Sequence, residues 1–355
     1  MFANCLRDLI EALRSLLARS GYLAACVLTL GLGLGANLAI LALLNGVLLN
    51  PWPTPNLDRI VQVWSANQQR PGDAGLSVLE YSERRNADAI EAMALSHRIG
   101  LSLTGAEQAH RIEARRATAS LFDVLGVQPQ LGRAWAESDE VAGRDRVIVI
   151  SHAMWQSRYA GDRSIVGRQV RIEGEPWTVI GVMPEGFYYP SPTTEAYVPF
   201  AFDAGELTED VRGRIYATAI ALLKPGRTAG DLQRELQADF SRRAQSIATL
   251  RSDIERNGTH VAVQRSLDYQ FERVGPIMLI AQAAVLMVLL VAIANLTGLT
   301  LSNWLTQRRA YAVRAALGAS RSRLMRKVFA ESLWLAVFGV VAALLIGRLA
   351  LVGLR

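Results

Sequence analysis

The stretch "TLGLGLGANLAI", residues 29–40, decides the fold of this chain, and it allows two incompatible interpretations. Gly31, Gly33 and Ala36 fit the G-x-G-x-x-A pattern of a dinucleotide-binding turn. Asp58 follows near the distance at which such folds place a ribose-binding carboxylate. The alternative is a helix that spans a membrane.

The flanks of this stretch favour the membrane helix. Positions 20–57 carry no charge, and "ANLAILALLNGVLLN", residues 36–50, is apolar all round. A cofactor helix that lies on a soluble sheet would need one polar face. About 20 apolar residues are enough to span the hydrocarbon core of a bilayer. We therefore predict a transmembrane helix over residues 21–49, which ends before the prolines of "PWPTP".

Small residues form a ridge on this predicted helix. Gly31 and Gly35 make a G-x-x-x-G step, and Ala39 extends it by one further interval of four. Such a ridge allows the backbone of a second membrane helix to approach closely. We predict that these three residues form a membrane helix packing site.

The distribution of charge separates the middle of the chain from its ends. The chain has 355 residues, 51% of them hydrophobic, and a net charge of +6. Residues 58–273 hold 26 basic and 29 acidic residues, net −3, whereas the remainder holds 12 basic and 3 acidic residues, net +9. An excess of basic over acidic residues at the flanks of apolar segments indicates membrane orientation rather than nucleic-acid binding. Both cysteines, Cys5 and Cys26, lie outside the middle segment, which excludes a disulfide framework or a cysteine metal site there.

Two further apolar segments are predicted to cross the membrane, over residues 276–303 and 332–354. Arg348 interrupts the last segment, and we expect its side chain to extend to the nearer interface of membrane and water. The N-terminal tail, residues 1–20, and the loop at residues 304–331 are rich in arginine, so both are predicted to be cytoplasmic.

Residues 50–275 then form a large domain on the far side of the membrane. Alternating stretches such as "DRIVQVWSA" and "RIEARRATA" predict strands, while "LEYSERRNA" and "HAMWQSRYAGD" predict helices. "QVRIEGEPWTVIGVMP" predicts a hairpin joined at Gly174-Glu175. Residues 215–267 predict a β-α-β unit with one long helix. The predicted fold is a membrane protein with three transmembrane helices and a large mixed α/β extracytoplasmic domain.

The sequence contains little that resembles an active site. Its four histidines are scattered without metal-binding spacing, and no phosphate-binding G-x-x-x-x-G-K-[ST] occurs. Ser151 stands where a strand meets a helix, but without a G-x-S-x-G it is better explained as a helix N-cap, with Trp155 packed beneath it. We predict no catalytic residue, no metal site, no cofactor and no enzyme activity.

The predicted cytoplasmic loop has the most informative pattern. "TQRRAYAVRAALGASRSRLMRKVFAESLWLAV" alternates apolar and basic positions, which predicts an amphipathic helix. Gly318 provides a C-terminal stop, and Ser320 can cap a second helix. The pattern fits a basic helix on anionic lipid and a docking element for a cytoplasmic protein equally well.

Three stretches resemble one known family. "VRAALGASRSRLMRKVFAESLWLAVFG" is similar to the cytoplasmic loop and following helix of MacB-type, FtsX-like ABC transporter permeases. "LFDVLGVQPQLGRAWAESDE" and "VIVISHAMWQSRYAGDRSIVGRQVRIEGEPWTVIGVMPEGFYYP" resemble the periplasmic core domain of the same family. The resemblance implies a porter-like part with a β-rich insertion around residues 130–200, and a partial permease domain over residues 276–355.

The same resemblance implies partners. The loop helix would be a coupling helix on a separate ATPase subunit, and its contact residues would be Val313, Arg314, Ala316, Leu317 and Gly318. The chain would lie in the bacterial inner membrane as a homodimer, or as a heterodimer with another permease chain, and would meet a periplasmic adaptor. No nucleic acid is expected as a partner.

The chain departs from the family pattern at three places. Ala310 stands where the family usually has an acidic residue, and Gly298 stands where a second asparagine often follows Asn295. Asn295 itself joins the predicted packing site. The family unit also has four membrane helices, whereas this sequence predicts three, as in a truncated, split or degenerate permease or in the first half of the larger duplicated type.

Two functions from different classes follow. The first is a permease subunit of a mechanotransmitting ABC transporter, which couples a cytoplasmic ATPase to export or release of a substrate on the periplasmic side. The alternative is a membrane-anchored periplasmic protein that binds or regulates a partner without an ATPase.

Overall fold

The computed structural model describes residues 2–44, 52, 54–68, 75–104, 110–316 and 321–353. The chain divides into a helical unit, residues 1–49 and 273–355, and an α/β unit, residues 50–272. The helical unit supplies three helices that are long and apolar enough to cross a membrane, and the other unit contains a large sheet with helices. The predicted fold class is confirmed.

The helices are α1 (Phe2–Leu17), α2 (Ser20–Leu44), α3 (Val78–Arg84), α4 (Ser120–Leu125), α5 (His152–Tyr159), α6 (Ala229–Ser246), α7 (Ala248–Asn257), α8 (Ser266–Ala316) and α9 (Arg321–Gly353). The strands are β1 (Ile60–Ala66), β2 (Ile90–Thr104), β3 (His110–Ala117), β4 (Leu131–Gly132), β5 (Val147–Ile150), β6 (Gln169–Ile172), β7 (Glu175–Val182), β8 (Ala196–Pro199), β9 (Thr218–Leu223) and β10 (His260–Arg265).

The candidate membrane spans lie on α2, α8 and α9, at Ser20–Ala42, Val274–Arg309 and Met325–Leu349. The end of the first predicted span, residues 45–49, falls outside the described residues. In the apolar 18-residue stretch that identifies each span, 28% of residues are buried by the described chain on α2 and on α9, against 11% on α8. The helix α8 therefore keeps most of its circumference free of contacts with the described part of its own chain.

The N-terminal tail forms a helix that the sequence analysis did not predict. In α1, Ala12 and Leu16 are completely buried, and the indole nitrogen of Trp334 on α9 donates to the Leu9 carbonyl at 3.1 Å. Leu9, Ala12 and Leu16 recur at helical spacing, so one stripe of α1 faces its neighbours in the helical unit.

The amphipathic helix predicted in the loop is not a separate element. The helix α8 continues without a break to Ala316, because residues 307–316 contain neither proline nor glycine and are rich in alanine and arginine. Gly318 and Ser320, the predicted stop and cap, lie outside the described residues. The next described helix, α9, begins at Arg321.

The α/β unit is built on one ten-stranded sheet. The strand order is β10-β1-β9-β2-β3-β8-β5-β7-β4, and β6 pairs with both β2 and β7. The β3–β8 and β5–β7 pairs are parallel, and the other described pairs are antiparallel. The region of the predicted insertion, which contains β4 to β8, continues this sheet through the β3–β8 pair.

The predicted β-α-β unit is present, with β9 and β10 both antiparallel to β1, which lies between them. The prediction of one continuous helix between these strands was wrong, because the helix breaks at Ile247 into α6 and α7. Ile247 has an extended backbone, and Arg251 donates its Nε to the Ala244 carbonyl at 3.2 Å. The break keeps both Ala244 and Leu250 in one buried core.

Two local predictions can be compared with the backbone. The hairpin between β6 and β7 turns at Glu173 and Gly174, one residue earlier than predicted, and both have positive φ, 53° and 86°. Positive φ at both central residues defines a type I′ turn. Ser151 caps α5 as predicted, because its hydroxyl accepts from the Met154 N–H at 3.1 Å, and Trp155 is buried.

Candidate functional site

The predicted coupling residues lie at the C-terminal end of α8, but only some of them are described. Val313 is 59% exposed, and Ala316 is exposed as well. Arg314 belongs to the helix, without a described side chain, while Leu317 and Gly318 lie outside the described residues. The structure therefore presents two exposed apolar side chains on the last described turn of a continuous helix.

The start of α9 adds apolar side chains that sequence reasoning missed. Met325 is 61% exposed and Phe329 is 69% exposed, on the first turns of the helix. They are four positions apart, so they lie on one side of α9. The signal was present in "RSRLMRKVFAES", where apolar residues recur between the basic ones.

A polar cluster connects three parts of the helical unit. Arg19, between α1 and α2, donates from Nη1 to Asn303 Oδ1 and from Nη2 to Glu331 Oε1, both at 2.9 Å. Arg19 Nη2 also donates to the Ser15 hydroxyl at 2.7 Å, and Lys327 Nζ lies 3.8 Å from Glu331 Oε1. We call these five residues the Arg19 cluster.

The Arg19 cluster contains a buried carboxylate, that of Glu331. Glu331 is only 8% exposed and lies in the candidate span Met325–Leu349, one residue before the span predicted from the sequence. A charged residue in an apolar span is costly unless it is paired, and such residues commonly mark functional positions. Because Asn303 belongs to α8 and Glu331 to α9, Arg19 holds both helices at the start of α2. The sequence analysis noted only that the loop at residues 304–331 is rich in arginine, and it did not predict this contact.

The predicted glycine ridge lies against α9. A Cβ atom added to Gly31 would stand 2.9 Å from the Cβ of Ala342, and one added to Gly35 would stand 3.1 Å from the carbonyl oxygen of Ala343. Both distances are below normal van der Waals contact, so these positions accept no side chain while the helices remain in place. Ala39, the third residue of the ridge, is 6% exposed.

Asn295 does not join this packing. It is exposed on α8, and a Cβ atom added to the nearby Gly298 would meet no atom within 4 Å among the described residues. The structure thus brings Gly31 and Gly35 together with α9, buries Ala39, and leaves Asn295 exposed on α8.

No group of three or more histidine, cysteine, aspartate or glutamate residues that could hold a metal ion occurs within the described ranges. His152 packs edge-on against Trp155 at 5.4 Å, next to the capping Ser151. These side chains support local structure.

The fold is that of a membrane protein with three long apolar helices and a large α/β domain. A family model, the MacB-like periplasmic core domain, matches residues 23–239, and a second, the FtsX-like permease C-terminal domain, matches residues 283–352. The chain belongs to the family of proteins with a MacB-like periplasmic core domain. No curated protein matches the chain.

Solved structures with a similar domain include the extracellular domain of the noncanonical ABC-type transporter YknZ from Gram-positive bacteria. It is 19% identical, covers 52% of this chain and 95% of that chain, and has a TM-score of 0.40. The periplasmic region of MacB from Actinobacillus actinomycetemcomitans is 14% identical, covers 62% of this chain and 94% of that chain, and has a TM-score of 0.44.

Family membership supports the role of an ABC transporter permease, a non-enzymatic membrane component that works with a cytoplasmic ATPase. It also supports a location in the inner membrane, with a periplasmic domain.

Proposed function

We propose that this chain is a mechanotransmitting permease subunit, which couples ATP hydrolysis by a separate cytoplasmic subunit to export or release of a substrate on the periplasmic side. The observation that carries this proposal is the continuity of α8. The segment with Val313 and Ala316 extends the membrane span Val274–Arg309 as one helix, with no described break before Ala316. A displacement applied at the end of a continuous helix is passed along its axis.

The Arg19 cluster supports the same mechanism. Arg19 is hydrogen-bonded to both α8 and α9, so a movement of α8 acts on its neighbours. The α2–α9 contact at Gly31 and Gly35 has no space for side chains. Close packing makes these helices respond as a unit rather than by local deformation.

The proposed topology follows the basic residues. The tail at residues 1–20 and the loop at residues 304–331 are cytoplasmic, with spans at residues 21–49, 276–303 and 332–354, and a core domain over residues 50–275. Val313, Arg314, Ala316, Leu317 and Gly318 contact the ATPase. The open face of α8, with Asn295, packs against a second permease chain, identical or related, and the core domain meets a periplasmic adaptor.

The coupling contact is tested by placing a charge in it. Ala316→Glu introduces a carboxylate into an apolar contact and is expected to weaken ATPase association by several kcal/mol, because the charge would be desolvated without a partner. Neutralising Arg321 with Gln is expected to cost about 1 kcal/mol or less, as exposed ion pairs do. Both effects are measured by co-purification of the ATPase with the tagged chain.

Membrane insertion of both variants is followed in parallel, since a misinserted chain would lose the ATPase for a trivial reason. If Ala316→Glu keeps full association, the end of α8 is a lipid-surface element and the proposal loses its main support. Loss of association with normal insertion supports docking.

A further inference from the structure

The α/β unit has a cavity of about 570 Å³ that the coupling mechanism does not use. Two of its lining residues, His97 on β2 and Arg116 on β3, are directly paired across the two strands. The other lining residues come from the chain that follows β8 and precedes β9, and include Phe200 and Tyr216. The volume falls within the range of small-molecule sites, about 300–1,000 Å³.

One side of this cavity is aromatic. The His97 ring meets the Phe200 ring at 5.0 Å and the Tyr216 ring at 5.2 Å between centroids, edge-on in both cases. Tyr216 is 44% exposed, and its hydroxyl donates to the Glu206 carboxylate. Ile215 lines the cavity beside it. Tyr216 and Ile215 offer apolar and π surface to a bound molecule, while Phe200, which is 2% exposed, supports the rings from the core.

The side chains that line the cavity carry a net positive charge. Arg116 and Arg214 both line it, and neither forms an ion pair with any residue that the structure describes. Glu206, the acidic lining residue, already accepts hydrogen bonds from Tyr216 and from the Asp203 N–H. Two guanidinium groups against one carboxylate leave an excess of one positive charge.

Protonation of the neighbours does not change this balance at neutral pH. Burial, and then the charges of Arg116 and Arg115, lower the pKa of His97 to about 4, so its imidazole is neutral. Burial and the adjacent Glu206 raise the pKa of Tyr216 above its ordinary value, so its phenol keeps its proton. The excess charge therefore belongs to the arginines.

We propose that this cavity binds a small organic acid, with its carboxylate on Arg116 and Arg214 and its aromatic or aliphatic body against Tyr216 and Ile215. Guanidinium groups bind carboxylates through paired N–H donors, and aromatic rings bind apolar bodies. The site lies wholly within the α/β unit, so its occupancy does not depend on the proposed ATPase coupling.

The test uses the full chain in lipid nanodiscs and a pair of probes that differ only in charge. N-acetyl-4-fluorophenylalanine carries a carboxylate, and its primary amide is neutral. Titrations followed by ¹⁹F NMR line broadening, with empty nanodiscs as reference, are expected to show saturable binding of the acid. The amide is expected to bind at least tenfold more weakly.

Variants separate the charged and apolar parts of the site. Arg116→Gln is expected to raise the Kd of the acid at least tenfold and to remove the preference for acid over amide. Tyr216→Ala is expected to weaken both probes by a similar factor. Arg227→Gln is the matched control, since Arg227 is an exposed arginine outside the cavity with no ion pair to a described residue.

Three results would overturn the proposal: no saturable binding of the acid, equal binding of acid and amide, or an unchanged Kd in Arg116→Gln. The thermal unfolding of each variant is compared with that of the unaltered chain, so that loss of binding is not confused with loss of fold. ATPase association is unaffected by these changes if the two functions are separate.

Discussion

At the scale of single residues, Glu331 places a buried charge in the helical unit. Glu331 is the acid of a span otherwise rich in apolar residues, and its carboxylate is held by Arg19 with Lys327 nearby. Removing one partner of a buried pair commonly costs more than the pair contributes, because the other charge remains buried. The cluster should therefore show strong coupling between its members.

A double-mutant cycle on Arg19→Gln and Glu331→Gln measures this coupling. We expect each single change to destabilise the chain in detergent, and the double change to cost less than the sum by about 1–3 kcal/mol. Arg14→Gln, at an exposed position of α1, is the control and should be nearly neutral. Additive effects of Arg19→Gln and Glu331→Gln would contradict a direct contact.

A second residue-scale effect concerns pH. Burial raises the pKa of Glu140 to about 7. The hydrogen bond from the Ala119 N–H and the charge of Arg85 lower this pKa, but by less than burial raises it. The charges of Glu137 and Asp139 raise it further. In the unfolded chain the pKa of Glu140 returns to 4.5. Between pH 4.5 and 7 the carboxyl is therefore protonated in the folded state and ionised in the unfolded state. The free energy of unfolding should fall as pH rises from 4.5 to 7.

Since Glu140 is partly exposed, solvent screening reduces the loss, and we expect about 1–2 kcal/mol over this window. The measurement is denaturant unfolding of the full chain followed by tryptophan fluorescence at pH 4.5 and 7. Glu140→Gln keeps the shape of the side chain without its titration and should remove that part of the pH dependence. An identical slope in the variant would show that other groups are responsible.

At the scale of elements, the contact of α2 with α9 depends on the absence of side chains. The atoms that meet an added Cβ at Gly31 are the Cβ of Ala342 and, at 3.2 Å, the Cδ1 of Ile346. Two small residues on facing helices bring their backbones close, and dispersion then replaces the hydrophobic effect that lipid does not provide.

Replacing Gly31 and Gly35 with Leu is expected to push α2 and α9 apart and to lower stability in detergent by about 1–3 kcal/mol per site, as overpacking does. Gly21→Leu is the matched control, because a Cβ atom there meets nothing within 4 Å. Membrane insertion should persist in all variants, since leucine is more apolar than glycine. Unchanged stability of the double variant would refute the close contact.

Local elements could be predicted from the sequence where the residues that form or end them lie close together in the chain. Ser151 and Met154 are three positions apart, so the cap of α5 is visible in the sequence. The break at Ile247 was missed, because its cause is a core shared by two helices rather than a local signal. The coupling helix was also predicted wrongly as a separate element, since nothing in residues 307–316 separates it from the membrane span.

At the scale of the whole molecule, the contacts that connect distant parts of the chain could not be predicted. Arg19 and Glu331 are 312 positions apart, and their contact follows only once α2 and α9 are packed. The same holds for the cavity, where His97, Arg116 and Tyr216 come from three strands or their flanks. Charge asymmetry and apolar length, by contrast, were sufficient for the fold class.

The span Val274–Arg309 has 36 residues, which is about 54 Å of helix at 1.5 Å per residue. The hydrocarbon core of a bilayer is only about 30 Å thick. Mismatch of this size is accommodated by tilt, by local thickening of the lipid or by cover from a neighbouring protein. Because so little of α8 is buried by its own chain, the thickness of the surrounding membrane becomes one of the forces that set the inclination of this helix.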